Sequence, residues 1–163
     1  MRSIHVAASA MLFLACGDDH DHAAEPSAGE DACEHFAEGP VETATAGASA
    51  AEAVDVSEEH TRFDLTLPAA GERRVGYVEV AIDAAGDHTF YFDTPVDLAI
   101  TNGAGAAVAA ESTATSDPDC GTVKSAVTVE LEVGTYTLAI DAAAGAGPVL
   151  LVWFGAEHDH EHE

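Results

Sequence analysis

Positive charge is what this chain has least of. Its 163 residues carry 5 Lys and Arg against 30 Asp and Glu, a formal net charge of -25. The fixed cations are Arg2, Arg62, Arg73, Arg74 and Lys124. A body this acidic repels phosphates instead of releasing their counterions, which excludes nucleic acid as a partner. Charge-driven docking on anionic lipid head groups is excluded for the same reason. Cations are attracted, whether metal ions or basic proteins, and the charge also serves solubility. Long apolar runs are missing too. Residues 6–15 form an apolar stretch well short of the roughly 20 residues that cross a bilayer. Catalytic signatures are absent: there is no G-x-S-x-G elbow, no H-E-x-x-H, no P-loop and no dinucleotide fingerprint. The serines have no triad context, and the expectation is a protein that binds and does not catalyse.

What is present begins at the N-terminus. Met1-Arg2-Ser3-Ile4-His5 is a short basic start, and Val6 to Ala15 has the length of a secretory apolar core. Phe13-Leu14-Ala15-Cys16 resembles a bacterial lipobox, with Phe13 where Leu is commonest. The resemblance implies cleavage before Cys16 and a lipid on Cys16. It also implies a membrane reached through that anchor, on a cell envelope facing the periplasm or the exterior. If Cys16 is discarded instead, the product is secreted. Export leaves Cys33 and Cys120 as an even pair in an oxidising compartment, where a disulfide is the default. It would close a long loop and contribute about 4 kcal/mol in the chain-entropy picture. Two thiolate metal ligands are the competing reading.

Five segments follow: a signal peptide at 1–15, a His/Asp-rich tether at 16–31, an approach segment at 32–53, a sandwich at 54–155 and a His/Glu/Asp-rich tail at 156–163. The tether shows no periodic apolar face. Thr43 to Ala53 reads as a weak helix or an ordered loop. From Val54 the apolar period becomes two. Phe63, Leu65 and Leu67 share one face, then Val78, Val80 and Ile82, with Gly76 as a candidate bulge. His88, Phe90 and Phe92 follow, then Val96, Leu98 and Ile100 up to the turn signal Asn102-Gly103. A short strand is expected near Ala107 to Glu111, and a polar loop from Ser112 to Thr122. Val127, Val129, Leu131 and Val133 resume the alternation, then Tyr136, Leu138 and Ile140, and an apolar strand closes at Val149 to Phe154. Short strands at this spacing predict an all-β fold, an antiparallel β-sandwich of about seven to nine strands, jelly-roll or Ig-like. One-sided alternation fits sheets whose outer faces meet water.

Residues 71–154 resemble the bacterial pre-peptidase C-terminal domain family. The likeness is carried by Asp97-Leu98-Ala99-Ile100 before Asn102-Gly103-Ala104-Gly105, by Val133-Gly134-Thr135-Tyr136-Thr137-Leu138, and by Gly147-Pro148-Val149-Leu150-Leu151-Val152. It implies a small β-sandwich of an exported protein that binds or solubilises. No attached peptidase is visible, which departs from the family's usual context.

The chemistry-bearing residues crowd the two ends. Asp18-Asp19-His20-Asp21-His22 lies near the start and Glu157-His158-Asp159-His160-Glu161-His162-Glu163 at the end. Histidines at i and i+2 of an extended chain project to one side. Neutral imidazole suits zinc, copper and nickel (Zn, Cu, Ni), and carboxylates add oxygen ligands. His20, His22, His158, His160 and His162 with Asp19, Asp21 and Asp159 are therefore the primary metal candidates. A tract that orders only on binding pays entropy, so micromolar affinity is expected. A second candidate joins Glu34 and His35 to Glu59 and His60, which meet only if the approach segment docks beside the first strand. His88, on an apolar face, reads as a core histidine bonded to backbone. Asp93, Asp97, Asp117 and Asp119 are loop acids without calcium-loop spacing. The function these features predict is an exported lipoprotein that buffers or delivers divalent metal ions, with an envelope protein as a possible partner. The alternative is an adhesion or accessory module, which an exposed aromatic cluster around Tyr77, Tyr91 or Trp153 would favour.

Overall fold

The computed structural model describes residues 26–155. The signal-like segment, Cys16, and the tail residues Asp19, His20, Asp21, His22, His158, Asp159, His160 and His162 lie outside the described residues.

Two sheets form the expected β-sandwich. In the first, β1 (Val41–Thr45), β3 (Arg62–Thr66), β12 (Val149–Phe154), β6 (Gly86–Phe92), β10 (Ser125–Leu131) and β9 (Ser112–Ala114) lie side by side in that order. In the second the order is β2 (Val54–Asp55), β5 (Arg73–Ile82), β11 (Gly134–Ala143), β7 (Val96–Asn102) and β8 (Ala107–Val108), and β4 (Ala69–Ala70) also pairs with β5. The surplus over seven to nine strands comes from β1 and from β2, β4 and β9, pairings of two or three residues each; β9 lies in the span read as a polar loop, while β8 falls where a short strand is expected. The sheets are mixed and not purely antiparallel, because β1 pairs with β3 and β2 with β5 in parallel. A parallel pair needs a crossover. Here the chain leaves β1, enters the second sheet as β2 after a 3-10 turn at Ala50–Glu52, and returns to the first as β3.

Alternation places the core. Phe63, Leu65, Leu67, Val78, Val80, Ile82, Phe90, Phe92, Leu138, Ile140 and Trp153 are buried between the sheets. Val133, read as part of the alternation, instead lies 65% exposed in the β10–β11 turn. That turn is closed by the Tyr136 hydroxyl, which donates to the Glu132 carbonyl at 2.9 Å and accepts from its N–H at 3.1 Å. Gly76 marks a close approach and not a bulge. The β5–β11 register runs through it unbroken, and a Cβ there would come within 2.8 Å of Leu67 Cδ2.

Helix α1 (Ala28–Glu38) begins inside the span read as tether, and β1 takes Thr43–Thr45 from the span read as helix or loop, whose remainder is a loop with the 3-10 turn at Ala50–Glu52. The helix start is a capping box. Ser27 Oγ accepts the Glu30 N–H at 3.2 Å, and Glu30 Oε2 accepts the Ser27 N–H at 3.0 Å. Gly29, Ala32 and Phe36 recur at helical spacing and are buried. They meet the outer face of the first sheet, where Ala32 and Phe36 cluster with Tyr91, Val123, Val152 and Cys120. This explains why β12 is apolar on both faces. Val149, Leu151 and Trp153 fill the sandwich, while Leu150, Val152 and Phe154 lie under the helix. The expectation of a water-facing outer sheet fails here because α1 covers it.

The Cys33–Cys120 disulfide bonds the helix to the loop before β10. Gly29 seats the helix against that loop. A Cβ at Gly29 would collide with the Asp117 carboxylate, which is held by the N–H groups of Asp119 (2.9 Å) and Cys120 (3.1 Å). Alanine gains about 1 kcal/mol of helix propensity but overpacks at a cost of about 1–3 kcal/mol. Gly29→Ala is therefore expected to lower stability by a net of up to about 2 kcal/mol, read as a fall in urea midpoint at unchanged slope.

Candidate metal centre

Helix α1 carries Asp31 and His35 at i and i+4, one turn apart on one face. His60 comes from the loop before β3 and holds a φ of 57°. That left-handed conformation is uncommon outside glycine, and histidine is among the residues that tolerate it. Trp153 fixes this loop at both ends. Its indole Nε1 donates to the Val56 carbonyl at 2.9 Å, and its carbonyl accepts the His60 N–H at 3.2 Å. At the helix end, Arg62 Nη1 donates to the Phe36 carbonyl at 2.7 Å while its Nε pairs with Asp64 at 2.9 Å.

These supports bring three ligand-bearing side chains together. His35 Nε2 lies 3.3 Å from His60 Nδ1 and 3.5 Å from Asp31 Oδ1. Asp31 Oδ2 lies 4.0 Å from His60 Nδ1. Taking one ligand atom from each residue, all three lie within 4.8 Å of one another. The Phe154 ring forms a wall under both imidazoles, with centroids 5.5 Å from His35 and 4.9 Å from His60. The His60 side chain is 52% exposed and His35 20%, so the group opens to solvent on the His60 side. The local field is negative. Burial, then the charge of Asp117, and more weakly that of Asp31, raise the Tyr91 hydroxyl above its usual pKa, against a hydrogen bond with Thr89 that lowers it. His35 Nδ1 is buried and meets no hydrogen-bond partner among the described residues. Two imidazole nitrogens and a carboxylate oxygen are a ligand set suited to zinc, copper or nickel.

The expected docking of the approach segment brings His35 to His60, but the acid that joins them is Asp31. Glu34 is exposed, and Glu59 packs its carboxylate where a Cβ of Gly155 would be; neither belongs to the group. Asp31 falls in the 16–31 span that reads as tether. The Asp31-x-x-x-His35 spacing behind Ser27-x-x-Glu30 is the signal that would have placed it. Cys33 and Cys120 are spent on each other, which removes the thiolate-ligand reading.

The remaining candidates have structural partners. His88 is 1% exposed, with Nδ1 2.9 Å from the Gly86 carbonyl. Asp93 accepts the Leu150 N–H at 2.9 Å, and Asp119 accepts the Ser27 hydroxyl at 2.9 Å. Asp97 and Asp141 pair with Arg73 at 2.8 and 2.6 Å. Tyr91 and Trp153 are buried, so the exposed aromatic cluster that adhesion would favour does not form around them. A separate open cleft of about 420 Å³ is lined by Ser57, Glu58, Glu59, Ala81 and Asp83 and contributes no imidazole.

Fold and site together define a β-sandwich with a helix stapled across one face and an Asp/His/His group at the helix edge. No protein-family model matches the chain, and no curated protein matches it. The likeness to pre-peptidase C-terminal domains accordingly rests on the short motifs of residues 97–105, 133–138 and 147–152.

Proposed function

We propose that this chain is an exported lipoprotein of the bacterial cell envelope, anchored through Cys16, that binds divalent transition-metal cations without catalysing a reaction. The observation that carries the reading is the meeting of Asp31, His35 and His60 at 3.3–4.0 Å. The net charge of -25 favours cation capture, and the histidines of residues 20–22 and 158–162 supply further imidazoles. Ligand exchange among such groups suits a buffer or delivery factor. The disulfide fits the oxidising compartment that export implies.

The test is calorimetric titration of residues 17–163 with zinc, nickel and copper. Beside it run a chain whose five tail histidines are replaced and a chain carrying His35→Ala with His60→Asn. Saturable binding that survives tail replacement and is lost with His35 and His60 supports the centre. Binding lost with the tails alone moves the function to them, and no binding in any chain overturns the reading. Protons compete with metal for imidazole nitrogen, whose ordinary pKa is about 6.5. Affinity is therefore expected to fall steeply below about pH 6, and a flat profile between pH 5 and 8 or so would remove histidine from the ligand set.

A further inference from the structure

We infer that the Asp31/His35/His60 group is a tetrahedral zinc centre with three protein ligands and a fourth position facing solvent. The inference rests on the metal-binding reading above and adds the geometry and the ion. Zinc takes imidazole nitrogen and carboxylate oxygen at about 2.0–2.2 Å, so a tetrahedral site has ligand–ligand edges of about 3.3–3.5 Å. Square-planar and octahedral sites of the same bond length place adjacent ligands about 2.9 Å apart. The observed edges from His35 Nε2 are 3.3 Å to His60 Nδ1 and 3.5 Å to Asp31 Oδ1. Both match the tetrahedral value and exceed the other by several tenths of an ångström. The 4.0 Å approach to His60 Nδ1 is made by the other carboxylate oxygen, Asp31 Oδ2; with one ligand atom from each residue the three lie within 4.8 Å of one another, and the half-exposed His60 ring must close the rest on binding.

The surroundings set the fourth position. Phe154 closes one side of the group with carbon, leaving the half-exposed His60 side for water or an incoming ligand. Zinc has no electronic preference against three protein ligands and water, whereas nickel and copper(II) favour square-planar or tetragonal sites. The second layer is thin. Ligation through His35 Nε2 puts the ring proton on Nδ1, which has no acceptor among the described residues. Outer acceptors typically strengthen metal binding by about 10–100-fold, so this centre holds zinc in an exchangeable way. An open position and a thin outer layer are what a delivery site requires.

Cobalt(II) reports the geometry, because a tetrahedral ion absorbs strongly in the visible and an octahedral one only weakly. The protein for the test is the full chain with His20, His22, His158, His160 and His162 replaced by Asn, so that only the centre binds. One equivalent of cobalt is expected to give intense visible bands, and zinc is expected to displace it. His60→Asn in the same chain is expected to weaken cobalt binding about 100-fold, as loss of one of three ligands. Asn tolerates the left-handed backbone, and an unchanged melting curve confirms that this variant is folded. Weak octahedral bands at one equivalent would overturn the tetrahedral assignment while leaving metal binding intact. Cobalt bound equally by the His60→Asn chain would exclude His60 as a ligand and overturn the centre. No binding by the tail-replaced chain would overturn both the centre and its geometry.

Discussion

Replacing Cys33 and Cys120 together by serine is expected to lower unfolding stability by about 4–5 kcal/mol. The bond spans 87 residues of sequence, and the denatured chain without it gains the entropy of that open loop. Domains of this size are stable by about 5–15 kcal/mol, so most of the margin can go. For a domain of this length the melting temperature should fall by about 15 °C. The consequence for function follows from where Cys33 sits. It lies on α1 between Asp31 and His35, and Cys120 is fully buried in the small cluster under that helix. Without the bond, α1 is held by Ala32 and Phe36, the Ser27–Asp119 contact and the Arg62–Phe36 contact. Two of the three proposed ligands then ride on a loosened helix. Zinc affinity in the tail-replaced chain is expected to fall by about tenfold or more when Cys33 and Cys120 are both serine, the scale of a lost supporting contact. Serine is used instead of reductant because free thiolates would themselves bind zinc, and calorimetry of the two chains checks it. Unchanged affinity in the serine variant would show that packing alone holds the helix.

Trp153→Ala is the second large effect, expected to cost about 4–5 kcal/mol. The side chain is fully buried and stacks on Phe90 with centroids 5.8 Å apart. Truncation opens a cavity between the sheets and leaves the Val56 carbonyl without its donor. Trp153→Phe keeps most of the ring contact and loses the N–H, so about 1–2 kcal/mol is expected from that variant. Trp153 is the sole tryptophan, so its variants are followed by circular dichroism in urea and not by fluorescence. The difference between Ala and Phe separates cavity from hydrogen bond. Because the indole and the Trp153 carbonyl fix both ends of the loop bearing His60, both variants should also weaken zinc binding, Ala more than Phe. Equal stabilities for the two would refute the cavity account.

Legibility was highest where one face of a strand is buried. The alternations at Phe63–Leu67, Val78–Ile82, His88–Phe92 and Tyr136–Ile140 named their strands, because a period of two has one physical cause. It failed at β2, β4 and β9, where two or three residues carry no period, and at Val133, where a turn interrupts the pattern. The parallel placement of β1 beside β3 was not readable, because Val41–Thr45 is largely exposed and shows no apolar face. Helix α1 was half readable. Its capping box is a local signal in four residues, but its apolar stripe consists of Gly29, Ala32 and Phe36, too small to stand out from a polar tether. Of the candidate centre, His35 and His60 were recognised and their meeting was conditional on docking. Asp31 is not legible as the third member, because Glu34, adjacent to His35 in sequence, is the nearer acid. On a helix, adjacency turns a side chain about a quarter of the way around the axis, and four residues bring it back.

Composition and the strand periodicity are properties of the chain as a whole or of neighbouring residues, and the sequence alone determined them: an acidic body and a sandwich core, with Cys33 and Cys120 left as an even pair whose bonding the structure decided. Each depends on solvent contrast or on pleat geometry, which act within a few residues or on the chain as a whole. The Asp31/His35/His60 group, the proposed metal centre, depends on something else. Asp31 and His35 reach His60 only because α1 crosses the outer face of the first sheet, held by Phe36, by Cys33–Cys120 and by a strand apolar on both sides. The path from His35 to His60, 25 residues on, includes β1 and a visit to the second sheet. No local rule carries a distance of 3.3 Å across such a path, so tertiary packing decided it.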